Sequence, residues 1–187
     1  MASERLQGTR SAATVAAAGL ALLTLAPHAG AAPPRTTQAN LLDRIQIEDL
    51  LVDYYQPLGG GRQEDLASFF TDDGVIDVNG RVYSGHAGIT QAYKDAGAAN
   101  NGNPTFQGKF VMLMNNPRIE VHGDVATADV IWTGIVTAKP TDQPHFAEQG
   151  KEHDDLVKVN GEWKIRKRII TSTGGLAPFY QATYKDR

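Results

Sequence analysis

The chain has 187 residues, 18 Lys and Arg against 21 Asp and Glu for a formal charge of −3, and no cysteine. The acidic balance argues against a nucleic-acid partner, and the absence of thiols excludes disulfides, thiolate catalysis and thiolate metal sites. Stability must come from packing, for which the roughly 155 residues that follow an N-terminal leader are enough as one domain.

Arg5 and Arg10 precede an apolar run over residues 12–26, and Ala29-Gly30-Ala31 follows it. A basic start, a short apolar core and a small-x-small end read as a secretory signal peptide over residues 1–31. The run falls short of the roughly 20 residues a spanning helix needs, an uncleaved anchor being the alternative. The expectation is a secreted or periplasmic protein, free of the membrane once the leader is removed. Residues 32–39 then form a flexible mature N-terminus and residues 40–187 the domain. The leader carries a net +1, so the remainder is one unit more acidic than the whole.

From residue 40, Leu41, Leu42, Ile45, Leu50, Leu51, Tyr54 and Leu58 recur at helical spacing, with Asn40 as N-cap and Asp43 in the first turn. Pro57 and Gly59-Gly60-Gly61 stop this helix. A short second helix over residues 63–70 buries Leu66, Phe69 and Phe70. A strand over 74–78 returns through Asn79-Gly80, a strong two-residue hairpin signal, into Arg81-Val82-Tyr83. Ser84 caps a third helix over 86–96. The Asn- and Gly-rich residues 98–105 read as a loop. Strands follow over 106–115, 118–122 after the Asn116-Pro117 break, and 125–138 after Gly123-Asp124. Residues 140–150 read as a polar connection, and 152–159 pairs with 162–170 around Asn160-Gly161.

Helices first and meandering strands last indicate an α+β domain with helices on one face of a bent antiparallel sheet. The basic run Lys164, Arg166, Lys167 and Arg168 reads as the solvated face of a strand. Val130, Trp132 and Val136 alternate and offer a second apolar sheet face for a homodimer.

Four segments carry a family resemblance: Phe70-Thr71-Asp72-Asp73-Gly74, Gly85-His86-Ala87-Gly88-Ile89, residues 116–124 and residues 155–165. In this order they resemble the SnoaL-like branch of the nuclear transport factor 2-like superfamily, which includes ketosteroid isomerases, scytalone-type dehydratases and polyketide cyclases. The resemblance implies a cone-like curved antiparallel sheet of four to six strands, with about three N-terminal helices covering its concave face around a deep apolar pocket. It is silent about the reaction.

An isomerase-like pocket polarises a carbonyl with a tyrosine on the first helix and a protonated carboxylic acid on the closing hairpin, and by offset these roles fall on Tyr54 and Asp155. The isomerase general base falls on Val78, and Asp77 beside it faces the other side of the strand, which disfavours a plain steroid isomerase. The dehydratase tyrosine and aspartate fall near Leu58 and Gly59, and its histidine near Met112, so that acid–base set is missing. His153 and Asp155 at i and i+2 share a strand face, with Asp129 on the neighbouring strand. If that face lines the pocket, His153 is the proton carrier and Asp129 or Asp155 sets its tautomer.

Each candidate has a plainer structural role: Tyr54 as core, Asp155 as a solvated strand end, His153 and Asp129 as outward strand residues. Lys109, His86 and His122 read as edge or surface residues. The spacing supports no metal site, and no phosphate-cradling loop or other cofactor signature is present. Two functions remain open. One is a cofactor-free isomerase, dehydratase or cyclase acting on a small apolar cyclic or carbonyl-bearing compound. The other is a non-catalytic pocket protein that binds such a ligand or dimerises through the open sheet face.

Overall fold

Residues 35–56, 63–100 and 109–186 are described by the computed structural model. The leader expected over 1–31, residues 32–34 of the expected flexible segment, the helix stop at 57–61 and residues 101–105 of the Asn- and Gly-rich loop lie outside the described residues.

Helix α1 (Leu41–Tyr55) buries Ile47, Leu51 and Tyr54, spaced i, i+4 and i+7, so that they form one stripe. Leu41, Leu42 and Ile45, expected on that stripe, lie on the exposed side of the first turn. Asn40 does not cap the helix with its side chain. Its Oδ1 accepts from the Thr37 N–H and its Nδ2 donates to the Arg35 carbonyl, while its backbone carbonyl takes the Arg44 N–H. Asp43 instead ties α1 to the last hairpin, accepting from Lys158 Nζ and, at 3.2 Å, from Trp163 Nε1.

The expected second α-helix is a 3-10 segment (Gln63–Phe69), and Phe70 already opens strand β1 (Phe70–Val78). Two α-helices and this segment therefore stand in place of three helices. β1 returns as β2 (Arg81–Ser84) through Asn79 at φ +53° and Gly80 at φ +87°, a left-handed pair that matches the twist of a tight hairpin. Helix α2 (Gly85–Asn100) runs on into the expected loop.

β3 (Lys109–His122) passes through the Asn116-Pro117 break instead of stopping there. Pairing jumps from Asn115↔Ile131 to Arg118↔Asp129, a bulge with Asn116 at φ +49° that accommodates the proline. β4 (Val125–Thr137) pairs on its other side with β5 (His145–Val159), which takes in most of the expected polar connection. Its residues before Glu152 pair with the long end of β4 as a strand with one exposed face, not as a loop. β6 (Glu162–Gly174) closes the set.

The strands form one curved, unclosed sheet in the order β2-β1-β6-β5-β4-β3. All neighbours are antiparallel except β1 and β6, which are parallel, so the expectation of a wholly antiparallel sheet is corrected. The reason is connectivity: β3 to β6 meander back through three hairpins, and β6 reaches β1 running the same way.

α1 packs chiefly on β3 and α2 on β1. Between helices and sheet lie Ala128, Val130, Trp132, Leu156, Trp163 and Ile165. The face expected to pair two copies is thus occupied: Val130, Trp132 and Val136 are buried, and alternation turns Ile131 outward in their place. Among the described residues, no helix is long and apolar enough to cross a membrane.

Candidate active site

The helices and the inner sheet face enclose a cavity of about 270 Å³. An apolar cavity of roughly 150 Å³ holds benzene, so this volume suits a molecule of one or two fused rings. α1 contributes Tyr54 and Tyr55, α2 contributes Ala92 and Tyr93, and the ends of β1 and β6 contribute Asn79 and Ser172. The wall also includes Phe110 and Met112 on β3, Trp132 on β4, Glu148 and Glu152 on β5, and Ala177 and Tyr180 beyond β6.

Of the residues singled out in the sequence, Tyr54 lies in this cavity. Its ring makes edge contacts with Tyr55, Phe69, Phe70 and Tyr93 at centroid distances from 5.6 to 6.3 Å. Its hydroxyl is buried with no hydrogen-bond partner among the described residues, and desolvation pushes its pKa up. Val78, at the isomerase-base position, lines the cavity, whereas Asp77 accepts a hydrogen bond from the Gly80 N–H.

His153, Asp129 and Asp155 do come together, but on the opposite face of the sheet. His153 Nδ1 lies 2.7 Å from Asp129 Oδ1, and Nε2 lies 3.7 Å from Asp155 Oδ1. All three side chains are about a third to a half exposed, and none lines the cavity. The correction is one of parity, since successive strand residues face opposite ways and the inward carboxylates of β5 are Glu152 and Asp154.

The sequence did hold this signal. Asn160-Gly161 fixes the last hairpin so that Leu156 opposes Ile165 and Lys158 opposes Trp163. Two apolar residues on one face of β6, alternating with Glu162 and Lys164, orient the even positions of β5 inward.

Arg168 was beyond that logic. Continued alternation from Trp163 and Ile165 would turn Lys167 inward, but a bulge between Asp155 and Leu156 shifts the phase of β6 by one. Arg168 therefore points into the core and is fully buried, which corrects its reading as part of a solvated basic face. Its Nε and Nη2 donate to Asp154 Oδ1 and Oδ2 at 2.7 and 2.9 Å, a bidentate fork, and Nη2 lies 3.1 Å from Glu152 Oε1. The guanidinium stacks 3.7 Å from the Tyr54 ring centroid. One buried cation thus faces two buried carboxyl groups. Burial and the neighbouring Asp154 raise the Glu152 pKa to about 8 against the pull of Arg168, which favours the neutral form of this carboxyl. Tyr55 donates to Glu152 Oε2 at 2.7 Å. Glu152, and not Asp155, is the carboxyl that lines the cavity at this end of β5.

Glu148 is a third inward carboxyl of β5. It sits opposite Gly134, where an added Cβ would come within 2.7 Å of the Phe110 ring and 2.9 Å of Glu148 Cγ, so the glycine makes room for both side chains. Desolvation raises its pKa to about 7. Because the folded value lies above the ordinary 4.5, the folded protein retains a proton that the unfolded chain releases between about pH 4.5 and 7. Stability therefore falls as pH rises through that window and levels off above it. Glu148→Gln is expected to flatten this slope and to raise stability at pH 8 by on the order of 1–3 kcal/mol, as chemical denaturation at pH 4.5 and 8 would measure.

Among the described residues, no group of three or more His, Asp or Glu is arranged to hold a metal ion. The chemistry on offer is proton transfer: two carboxyls with pKa values raised to about 7 and about 8, and three buried phenols, Tyr54, Tyr93 and Tyr180, whose hydroxyls lack partners among the described residues.

A SnoaL-like domain family model matches residues 39–169. An uncharacterized protein of Mycobacterium tuberculosis and one of Mycobacterium bovis are each 31% identical over 134 residues, 71% of this chain and 87% of theirs. Among solved structures, a putative scytalone dehydratase from Novosphingobium aromaticivorans is similar with a TM-score of 0.59 at 23% identity, over 74% of this chain and 89% of that one. ActVI-ORFA from Streptomyces coelicolor is similar with a TM-score of 0.60 at 20% identity, over 70% and 96%. A protein of unknown function with a cystatin-like fold from Nostoc punctiforme gives a TM-score of 0.61 at 20% identity, over 73% and 95%. At these identities the structures establish the shared fold.

Proposed function

This chain belongs to the SnoaL-like domain family, and from that membership and the ionisable groups of its cavity we propose a cofactor-free acid–base enzyme. It acts on a small, largely apolar, cyclic compound bearing a carbonyl. The observation that carries the reading is the pair of carboxyls in one apolar cavity, Glu148 with its pKa raised to about 7 and Glu152 with its pKa raised to about 8. Carboxyls whose environments set them to different protonation states in one site are suited to the base and acid roles.

Glu148, ionised above about pH 7, takes a proton from the carbon next to the carbonyl. The electron pair of the broken C–H bond moves to the carbonyl oxygen, and the buried phenols Tyr54 and Tyr93 donate hydrogen bonds to the developing enolate. Glu152, held by Tyr55 and Arg168, supplies a neutral acid on the same wall. Return of the proton to another carbon gives isomerisation, loss of a β-hydroxyl gives dehydration, and attack on a second carbonyl gives ring closure. The similarity to a putative scytalone dehydratase supports this range without selecting within it.

2-Tetralone, a two-ring ketone of suitable size, tests the reading by exchange of its α-hydrogens in D₂O, followed by proton NMR. The expected result is exchange well above the buffer rate, rising with pH through about 7. Binding of 2-tetralone without exchange would favour the non-catalytic pocket protein, and neither binding nor exchange would overturn the site.

The basic, apolar and small-residue order of residues 1–31 supports a place of action outside the cytoplasm. Protein recovered from the host's envelope or medium is then expected to begin near Ala32 or Pro33, and N-terminal sequencing would check this. A start within the first ten residues, in a cytoplasmic fraction, would refute it.

A further inference from the structure

The cavity has one wall that the family match does not reach. The match ends at residue 169, yet Ala177 and Tyr180, which follow β6, are buried and line the cavity. Their segment is fixed at several points. Gly175, at φ +75°, turns the chain back across β5 so closely that an added Cβ would lie 2.2 Å from the Ala147 carbonyl oxygen and 2.7 Å from Glu148 Cα. A short 3-10 turn follows (Pro178–Tyr180). Arg81 on β2 stacks its guanidinium 3.8 Å from the Phe179 ring centroid and donates from Nη2 to the Phe179 carbonyl at 3.0 Å. Tyr184 donates from its hydroxyl to the Ser172 carbonyl at 3.0 Å. The Thr183 carbonyl lies so close to the Asn79-Gly80 turn that a Cβ on Gly80 would come within 2.0 Å of it.

This anchoring holds Tyr180 only 6% exposed, with a hydroxyl that has no hydrogen-bond partner among the described residues. A buried phenol carries a desolvation cost unless something accepts its proton. Glu148 lines the same cavity and is near enough for its charge to act on the Tyr180 phenol. We propose that residues 175–184 are a built-in cover of the cavity, and that the Tyr180 hydroxyl donates a hydrogen bond to a carbonyl or hydroxyl oxygen of the bound ligand. The inference rests on the cavity being the ligand site. It adds a contact that selects oxygen-bearing rings over bare hydrocarbons, made by a segment beyond the matched domain.

Two probes of similar size separate the hydrogen bond from the apolar contact: 2-tetralone carries the oxygen, and naphthalene does not. In the full chain, Tyr180→Phe is expected to weaken 2-tetralone binding about tenfold, the scale of one buried hydrogen bond, and to leave naphthalene binding unchanged. Arg81→Gln removes the stack and the bond on Phe179 but keeps the phenol. It is expected to weaken both probes and to speed amide hydrogen exchange over residues 179–184. Equal binding of both probes by Tyr180→Phe and wild type, or equal losses for both in Tyr180→Phe, would overturn the inference and leave the proposed site standing. A wild type that binds neither probe would remove the site and the inference together.

Discussion

Arg168→Met is expected to destabilise the protein by on the order of 3–5 kcal/mol near neutral pH, the cost of leaving the buried Asp154 carboxylate without its cation. Arg168, Asp154 and Glu152 are all essentially inaccessible to solvent, and Arg168 is the shared partner of both acids. Without it Asp154 must protonate or stay ionised in the core, and either course costs free energy. The pH dependence follows from burial. In the variant no cation offsets the desolvation of an ionised carboxyl, so stability is lost as pH rises through the ordinary carboxyl range. The deficit relative to wild type should therefore be smallest near pH 4 and largest above pH 7. The double variant Arg168→Met with Asp154→Leu should recover most of the loss, since an apolar replacement of a buried ion pair is often neutral. Urea titrations at the two pH values decide the matter. A loss under about 1 kcal/mol, the scale of an exposed pair, would show that the network is open to water.

Glu148→Gln is expected to reduce the 2-tetralone exchange rate by about 10²–10⁴-fold, the usual contribution of a positioned general base. Binding of 2-tetralone should change little, because the amide keeps the shape of the carboxyl and is itself able to hydrogen-bond. The residual exchange should also lose its dependence on a group titrating near pH 7, where the wild-type Glu148 ionises. The same substitution is expected to stabilise the fold at pH 8, and the denaturation measurement there separates lost activity from unfolding. Tyr54→Phe is the milder companion, removing one donor to the enolate and leaving Glu148 in place. An exchange rate in Glu148→Gln equal to wild type would transfer the base role to another group.

Local pattern determined much of this protein. The stripe containing Leu51 and Tyr54 specified α1 and placed Tyr54 inside, because helical spacing fixes which side chains share a face. Asn79-Gly80 and Asn160-Gly161 specified their hairpins, since only such pairs take two successive left-handed conformations at low cost. Four short motifs in order pointed to the SnoaL-like fold, which the family match bears out.

What local pattern left open was parity and phase. A shift of one residue along β5 exchanges His153 and Asp155 for Glu152 and Asp154, and with them the chemistry of the cavity. Glu148 escaped notice because its polar surroundings resemble a connection until β4 is present to pair with them. Arg168 belongs to a basic run that reads as a solvated face, and only a bulge, set by how β5 and β6 pair over their whole length, turns it into the core. Tyr180 reaches the cavity through a turn at Gly175 and a cation stacked on its neighbour, contacts between residues far apart in the chain. The sequence alone thus specified α1, the two Asn-Gly hairpins and the family. Tertiary structure decided which carboxyls lose their water, because desolvation depends on what packs around a residue and not on its neighbours in sequence.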